Sequence, residues 1–226
     1  EHDQVAAQDL FNAIVAFNGV LQPLAKQRRT QPADDLVSVW ANADIDGFTY
    51  DSIRLYHEVG LFIAGGAETT RTAISHGLRT FCDHPDQWNH LAAHPEAIPT
   101  AVEEVIRWVS PLNNFFRNAA ADTSLAGADL AEGDRLILLY PAANRDPRVF
   151  DDPNRFDTTR SPNPHLGFGQ GTHFCIGANL ARYELAILFE ELTKRITGLS
   201  PVTEPDVEPN IFARAVRSFH LGFTLR

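Results

Sequence analysis

The sequence contains no methionine and only two cysteines, Cys82 and Cys175, among its 226 residues. Two cysteines are too few for the disulfide framework of a small secreted protein, so the composition indicates a reducing, cytoplasmic environment. A chain that begins at Glu1 and lacks methionine is also expected to be a piece of something longer, because translation starts with methionine.

Long apolar runs and an excess of positive charge are also missing. No stretch is apolar enough to cross a bilayer, and no signal-peptide pattern is present. The 19 Lys and Arg residues are outnumbered by 29 Asp and Glu residues, giving a net charge of −10, and no basic cluster stands out. The sequence therefore predicts neither a membrane span nor a nucleic-acid partner.

Apolar residues make up 44% of the chain, which is enough for a core in one large domain or two small ones. Helical periodicity is clear in four segments: 9–26, 50–83, 98–109 and 178–189. Short runs typical of strands occupy 114–120, 123–126, 135–140 and 218–225. We expect a mainly α fold with small β-sheets, Thr49 as the cap of the second long helix, and an irregular tail that begins at Gly198 and Pro201.

A glycine-rich run, residues 167–177, places four glycines around Cys175 just before the helix that starts near Ala178. The unpaired N–H groups and the dipole of a helix N-terminus favour a thiolate over a thiol. A thiolate in a rigid glycine loop is a metal ligand or a nucleophile. The alternative is a buried cysteine that packs as a small hydrophobe, and the glycines favour the first interpretation.

The long helix of segment 50–83 contains two adjacent glycines, Gly65 and Gly66, followed by Glu68 and Thr69. Each glycine costs a helix roughly 1 kcal/mol relative to alanine. Such a pair indicates close approach by another group or a local kink. The alternative is a packing kink in which Glu68 is merely solvated.

The glycine-rich run resembles the cysteine-ligand loop of the cytochrome P450 family, the haem-thiolate monooxygenases. The pattern F-G-x-G-x-H-x-C-x-G is matched at Phe168, Gly169, Gly171, His173, Cys175 and Gly177. The resemblance implies that Cys175 is the proximal ligand of the iron of haem b (iron protoporphyrin IX), where its sulfur favours O–O cleavage. It covers nearly the whole chain, so residues 1–226 are expected to form a single haem-binding portion, roughly the C-terminal half, of a bacterial-type cytochrome P450.

The same resemblance assigns further cofactor and catalytic residues. Gly65 and Ala181 are expected to contact the haem, and Arg117 and His173 to contact its propionates; a solvent-exposed strand arginine is the alternative for Arg117. Segment 65–70 resembles the family's distal helix. Glu68 and Thr69 are therefore expected to deliver protons during oxygen activation, with the carboxylate as source and the hydroxyl as relay.

A structural triad is implied by Glu104 and Arg107, which form an E-x-x-R motif. Segment 152–156 resembles the family's P-x-R-F sequence, which makes Arg155 the expected third member. Guanidinium groups favour such sites because they form planar, multidentate hydrogen bonds. Without the resemblance, an acid and a base three residues apart are usually a weak surface pair.

The expected reaction inserts one oxygen atom from O2 into a small apolar organic substrate, with electrons from a ferredoxin-type redox partner and its reductase. The alternatives are a peroxide-dependent haem-thiolate hydroxylase, or a truncated chain without activity on its own. Arg182, Lys194 and Arg195 are candidate partner contacts or ordinary surface charges. The residues expected to line the substrate pocket are Leu61, Ile63, Pro111, Leu112 and Phe115.

Overall fold

Helices dominate the computed structural model, which describes residues 2–226 except for the side chains of residues 2–4 and 48. The α-helices are α1 (His2–Thr30), α2 (Leu36–Asn42), α3 (Ser52–Asp83), α4 (Pro85–Ala93), α5 (Ile98–Val109), α6 (Tyr140–Ala143) and α7 (Ala178–Arg195). None of the helices in this described part combines the length and the apolar character needed to cross a lipid bilayer.

The strands pair as small antiparallel two-stranded sheets within the described residues. The pairs are β1 (Asp44–Ile45) with β2 (Phe48–Thr49), β3 (Asn114–Asn118) with β6 (Arg135–Leu139), β4 (Thr123–Leu125) with β5 (Ala128–Leu130), β7 (Ile196–Pro201) with β10 (Leu221–Leu225), and β8 (Asp206–Val207) with β9 (Val216–Ser218). The predicted fold class, mainly α with small sheets, is confirmed.

Two compact units divide the chain, residues 1–65 and residues 66–226, and the division falls inside α3. The core of the first unit is formed by Leu21 and Ala25 of α1 with Leu55 and Val59 of α3. That residues 1–226 act as a single haem-binding portion stays a prediction.

The core of the second unit is built around α5, which buries residues on nearly all of its faces. Phe81 of α3 makes edge contacts with Trp88, Phe156 and Phe189 at ring-centroid distances of 5.3 to 5.5 Å. Offset and edge-on aromatic pairs of this kind stabilise a core beyond their buried area. Val102, Val105 and Ile106 of α5 belong to the same buried cluster as these rings, so α5 is packed into the core of the second unit.

Two local predictions about element ends are wrong. Thr49 lies in β2 and does not cap α3; the Asp51 carboxylate accepts the Arg54 N–H at 2.8 Å instead. The tail after α7 is not irregular at its start, because Gly198 and Pro201 lie in β7 and pair with β10. The reason is that β10, some twenty residues further along the chain, supplies backbone hydrogen-bond partners to β7. The local glycine and proline content does not reveal this pairing.

Candidate functional site

The glycine-rich run of residues 167–177, called the cysteine loop below, is closed by its own backbone. The Cys175 N–H donates to the Phe168 carbonyl at 2.9 Å, and the Phe174 N–H donates to the Gly171 carbonyl at 3.0 Å. The loop ends at α7, and the Cys175 thiol is exposed. Exposure contradicts the alternative in which Cys175 is a buried small hydrophobe, and leaves its sulfur available to a ligand.

Glycine is required at two positions of this loop for different reasons. Gly169 has φ +69°, and a Cβ there would also lie 3.3 Å from the His173 carbonyl oxygen. A Cβ on Gly167 would lie 2.6 Å from Cγ2 of Ile106 on α5. Gly169 therefore supplies a left-handed backbone, whereas Gly167 lets the loop approach α5.

Arg117 and His173 line the same cavity, whose volume is about 340 Å³. Arg117 lies on β3, and His173 ends a short 3₁₀ turn, Gly171–His173, within the cysteine loop. The neighbouring wall is apolar and comes from Ile137, Leu138 and Leu139 of β6. Two potential donors to an anion thus share one cavity with an apolar surface, as the predicted propionate contacts require.

Helix α3 continues without interruption through Gly65 and Gly66. Nothing lies within 4 Å of a Cβ built on either glycine. The Glu68 carboxylate accepts from the Arg71 guanidinium at 2.6 Å and from the Thr72 hydroxyl at 3.2 Å. Glu68 is therefore paired on its own helix and not merely solvated; the catalytic roles of Glu68 and Thr69, and the haem contacts of Gly65 and Ala181, stay predictions.

Glu104 and Arg107 form a fully buried ion pair on α5. The Arg107 Nε–H donates to Glu104 at 2.7 Å, and its Nη2 donates to the other carboxylate oxygen at 2.8 Å. The same guanidinium donates to the carbonyls of Asn144, Pro153 and Arg155 at 2.8 to 3.1 Å. The pair is not the weak surface pair that an arbitrary E-x-x-R motif indicates.

The prediction that Arg155 completes this triad is wrong. The Arg155 side chain is 65% exposed and its carboxylate contact is Asp157, at 3.8 Å. Arg160 donates to Glu104 instead, at 3.2 Å, with only 10% of its side chain exposed. Arg155 contributes its carbonyl oxygen, which accepts from both Arg107 and Arg160. The turn after Phe156 brings Arg160, five residues after Arg155, back to the Glu104 carboxylate.

A second ion pair links α5 to α7 and was missed by the sequence analysis. Arg182 donates to both Glu103 carboxylate oxygens, at 2.6 and 2.9 Å, and His165 lies 3.0 Å from Glu103. Burial alone would raise the pKa of Glu103, but hydrogen bonds from His165 and Arg182 outweigh it and lower the pKa to about 2. An available signal was that Arg182 stands four residues after buried Ala178 and three before buried Leu185, on one helix face.

Arg182 pairs with Glu103 while its side chain remains 34% exposed, and its role as a partner contact stays a prediction. Lys194 and Arg195 are exposed and form ion pairs with Glu190 and Glu191 along α7. That Lys194 and Arg195 contact a partner protein stays a prediction. No cluster of three or more His, Cys, Asp and Glu side chains in the described part of the chain is arranged to hold a metal ion.

The donor set of the cysteine loop fits a haem group. It offers one exposed soft sulfur ligand, an arginine and a histidine in one cavity, and an apolar wall. Haem requires an axial ligand for its iron, donors for its anionic propionates and apolar contacts for its ring.

The profile of the family described as cytochrome P450 matches residues 96–211, about half of the chain. The chain belongs to the cytochrome P450 family. A Mycobacterium tuberculosis relative, cytochrome P450 126, is 48% identical over 181 residues, covering 79% of this chain and 44% of the relative. The steroid C26-monooxygenase of Mycolicibacterium smegmatis is 37% identical over 224 residues, covering 98% of this chain and 56% of that protein.

Solved cytochrome P450 structures share the fold. The Mycobacterium marinum cytochrome P450 CYP268A2 in complex with pseudoionone superposes with a TM-score of 0.90 at 39% identity, covering 95% of this chain and 52% of that one. This cytochrome P450 chain thus spans about half the length of the relatives it matches. The family implies a haem cofactor, which agrees with the donor set.

Proposed function

We propose that this chain is the haem-binding portion of a haem-thiolate monooxygenase, which inserts one oxygen atom from O2 into an apolar organic substrate. The observation that carries the proposal is the exposed Cys175 thiol, three residues before α7, in the same loop as His173, which shares a cavity with Arg117. Haem b would supply the activation of O2. Cys175 would ligate its iron, and Arg117 and His173 would donate to its propionates.

The proton path is proposed to start at Glu68 and pass through the Thr69 hydroxyl, its neighbour on α3. The Glu68 carboxylate is held by Arg71 and Thr72, which fixes its position along the helix. The Thr69 hydroxyl can accept a proton on one side and donate one on the other. The Glu68 carboxylate can take up a new proton from solvent, because its side chain is 34% exposed.

The substrate is proposed to be apolar and lipid-like. Pro111, Leu112 and Phe115 lie near the segment 210–216, since the Asn113 N–H donates to the Phe212 carbonyl at 2.7 Å and the Phe115 and Phe212 rings lie 5.2 Å apart. Relatives named steroid C26-monooxygenases support a substrate of sterol or similar lipid character. The expectation that Leu61 and Ile63 line a substrate pocket stays a prediction.

Electrons are proposed to come from NAD(P)H through a ferredoxin-type partner and its reductase, in the cytoplasm. Residues 1–226 carry no flavin or dinucleotide fingerprint, so the proposal takes these electrons from outside this part of the protein. A peroxide-dependent hydroxylase would need no such partner, and product formation with peroxide alone would favour that alternative.

The test is the absorption spectrum of the haem-reconstituted, dithionite-reduced chain under carbon monoxide. A strongly red-shifted Soret band is expected, and it should disappear in Cys175→Ala but persist in Cys82→Ala. An unshifted band in the unsubstituted chain, or no haem uptake, contradicts a haem-thiolate function for this chain alone. A red-shifted band that survives in Cys175→Ala removes Cys175 as the ligand.

A further inference from the structure

Phe168, the second residue of the cysteine loop, is contacted from two sides. Its carbonyl oxygen accepts the Cys175 N–H at 2.9 Å, so its backbone position determines that of the cysteine. Its ring lies under the Arg182 guanidinium, whose central carbon is 4.5 Å from the ring centroid. A planar cation over an aromatic face is attracted to it and restricts its orientation. Movement of Arg182 would therefore be transmitted to Cys175.

His165 fixes the same N-terminal end of the loop through Gly167. The Gly167 N–H donates to His165 Nδ1 at 3.1 Å, so the ring carries its proton on Nε2 and donates it to Glu103 at 3.0 Å. The His165 side chain is 3% exposed. A buried ring that accepts on one nitrogen and donates on the other has one allowed orientation. Glu103 thus receives hydrogen bonds from both His165 and Arg182.

Glu103 also compensates the charge of Arg182 close to the cysteine. Hydrogen bonds to Glu103 raise the pKa of Arg182, burial opposes them, and the charges of Glu103 and Cys175 add to the rise. Arg182 therefore holds its ion pair with Glu103 over the ring of Phe168, the residue whose carbonyl accepts the Cys175 N–H. Changing either partner changes the net charge beside the sulfur, in opposite directions.

We propose that Glu103, Arg182 and His165 form a positioning network that fixes the segment from Phe168 to Cys175 and tunes how strongly the Cys175 sulfur donates to the haem iron. The network acts through Phe168 and Gly167 and not by contact with the haem. The proposal rests on the proposed haem-thiolate function in its second part, which concerns the iron, and on the geometry of the chain alone in its first.

Hydrogen–deuterium exchange of the haem-free chain tests the first part. Arg182→Gln is expected to speed exchange in segment 167–175 about tenfold, because the local opening that exposes the Cys175 amide becomes easier. Arg182→Lys keeps the charge but loses the planar contact and should fall in between. His165→Phe should mainly release the Gly167 amide. Arg195→Gln and Glu191→Gln, an ion pair exposed on the same helix, serve as matched controls and should exchange like the unsubstituted chain.

The reduction potential of the haem-loaded chain tests the second part. A positive charge near the iron favours the reduced state, so Glu103→Gln is expected to raise the potential and Arg182→Gln to lower it. The double variant should return toward the unsubstituted value. A merely structural role would shift both single variants in the same direction, because both loosen the loop.

The outcomes separate the two levels of the proposal. The positioning role is overturned if amide exchange is as slow as in the controls in all three variants, Arg182→Gln, Arg182→Lys and His165→Phe. Potentials that shift together, or not at all, overturn the electronic role. If the unsubstituted chain shows no red-shifted carbon monoxide band, the proposed function fails, while the exchange experiment still decides whether the network positions Cys175.

Discussion

Arg160 shows how much a single side chain contributes when it reaches a buried carboxylate. It donates to Glu104 and to the carbonyls of Asp151, Asp152 and Arg155 at 2.6 to 3.2 Å. These contacts tie the turn of segment 151–160 to α5. One guanidinium can make all of these hydrogen bonds because its donors lie in one plane and point in several directions.

Arg160→Ala is expected to lower the free energy of unfolding by about 2–3 kcal/mol, since it removes several charge-assisted hydrogen bonds and leaves Glu104 less compensated. Arg155→Ala is the matched control, because its exposed side chain should change that free energy by less than about 0.5 kcal/mol. Urea unfolding of both variants measures the difference. Equal losses in the two variants would contradict the assignment of Arg160 to the triad.

Thr69→Ala is expected to separate NAD(P)H consumption from product formation, with peroxide released instead, because the proposed proton relay loses its hydroxyl. Thr69→Ser keeps a hydroxyl and should restore most of the coupling. The measurement is the ratio of product and peroxide to NAD(P)H consumed, in a haem-loaded chain supplied with a redox partner. Full coupling in Thr69→Ala would exclude the relay role.

The difference between Arg155 and Arg160 marks a limit of sequence reasoning at this scale. Both arginines lie in the same short irregular segment, and the family pattern points to the first. Which one turns inward depends on the backbone between them, where the Arg155 N–H donates to the Asp152 carbonyl and the Arg160 N–H donates to the Asp157 carbonyl. Such turns have no periodic sequence pattern, so only the structure distinguishes the two side chains.

Among the elements, α3 uses its glycines in two ways. A Cβ on Gly77 would lie 2.8 Å from Cγ1 of Val105 on α5, whereas nothing lies within 4 Å of a Cβ on Gly66. Gly77→Ala is therefore expected to lower the free energy of unfolding by about 1–2 kcal/mol through overpacking. Gly66→Ala should raise that free energy by up to about 1 kcal/mol, because alanine favours a helix.

Thermal unfolding of the two haem-free variants checks these opposite signs. If both substitutions destabilise the chain, the space at Gly66 is filled by a group that the geometry does not show. If both stabilise it, α3 and α5 can separate at Gly77 at little cost.

The link between α5 and α7 is expected to weaken in acid. The folded chain lowers the pKa of Glu103 from its ordinary 4.5 to about 2. Ionised Glu103 therefore stabilises the folded state above about pH 4.5, and this contribution is lost as the pH falls through 2. Glu103→Gln should reduce the pH dependence of the unfolding free energy in that window, whereas Glu191→Gln should reduce it less. An unchanged slope in Glu103→Gln would contradict the shift.

The type of a secondary-structure element could be predicted where the sequence periodicity is strong, but the residues at which elements begin and end were predicted less well. The helix 98–109 was predicted with the bounds that α5 has, and β3 and β6 follow the runs 114–120 and 135–140 closely. The strand β7 was missed because its pairing with β10 is a long-range contact between residues such as Gly198 and Thr224. Local composition there, with glycine and proline, indicates a turn, and tertiary pairing overrides it.

At the scale of the whole molecule, α7 exposes an apolar stripe. Leu180, Tyr183 and Ile187 are 62%, 67% and 44% exposed and share one helix face by their spacing of three and four. The chain is therefore expected to self-associate as its concentration rises, because contiguous apolar surface of this kind favours association. Sedimentation velocity measures it.

The triple variant Leu180→Ser, Tyr183→Ser, Ile187→Ser should remain monomeric at concentrations where the unsubstituted chain associates. Val202→Ser, which replaces another exposed apolar side chain outside α7, is the control and should leave the association unchanged. Association that persists in the triple variant would locate the contact elsewhere on the surface.

The proposed ligand of the candidate site could be named from the sequence, but the residues that support its loop could not. Cys175, Arg117 and His173 follow from a linear motif and from a resemblance, and the structure brings the last two to one cavity. Glu103, His165 and Arg182 come from three separate segments and meet only in the folded chain. In a sequence, the only sign of a charged residue that turns inward is its position between apolar residues on the same helix face.

The buried pair of Glu104 and Arg107 also has a consequence for the order in which the chain becomes structured during synthesis. Arg107 donates to carbonyls 37 to 48 residues further along the chain. α5 is therefore translated before its partners exist, and its two charges remain hydrated until the later segment emerges and displaces the water. Ribosome-bound chains in which segment 144–163 has not yet emerged should accordingly keep α5 accessible to proteases and chaperones, whereas those in which it has emerged can bury α5.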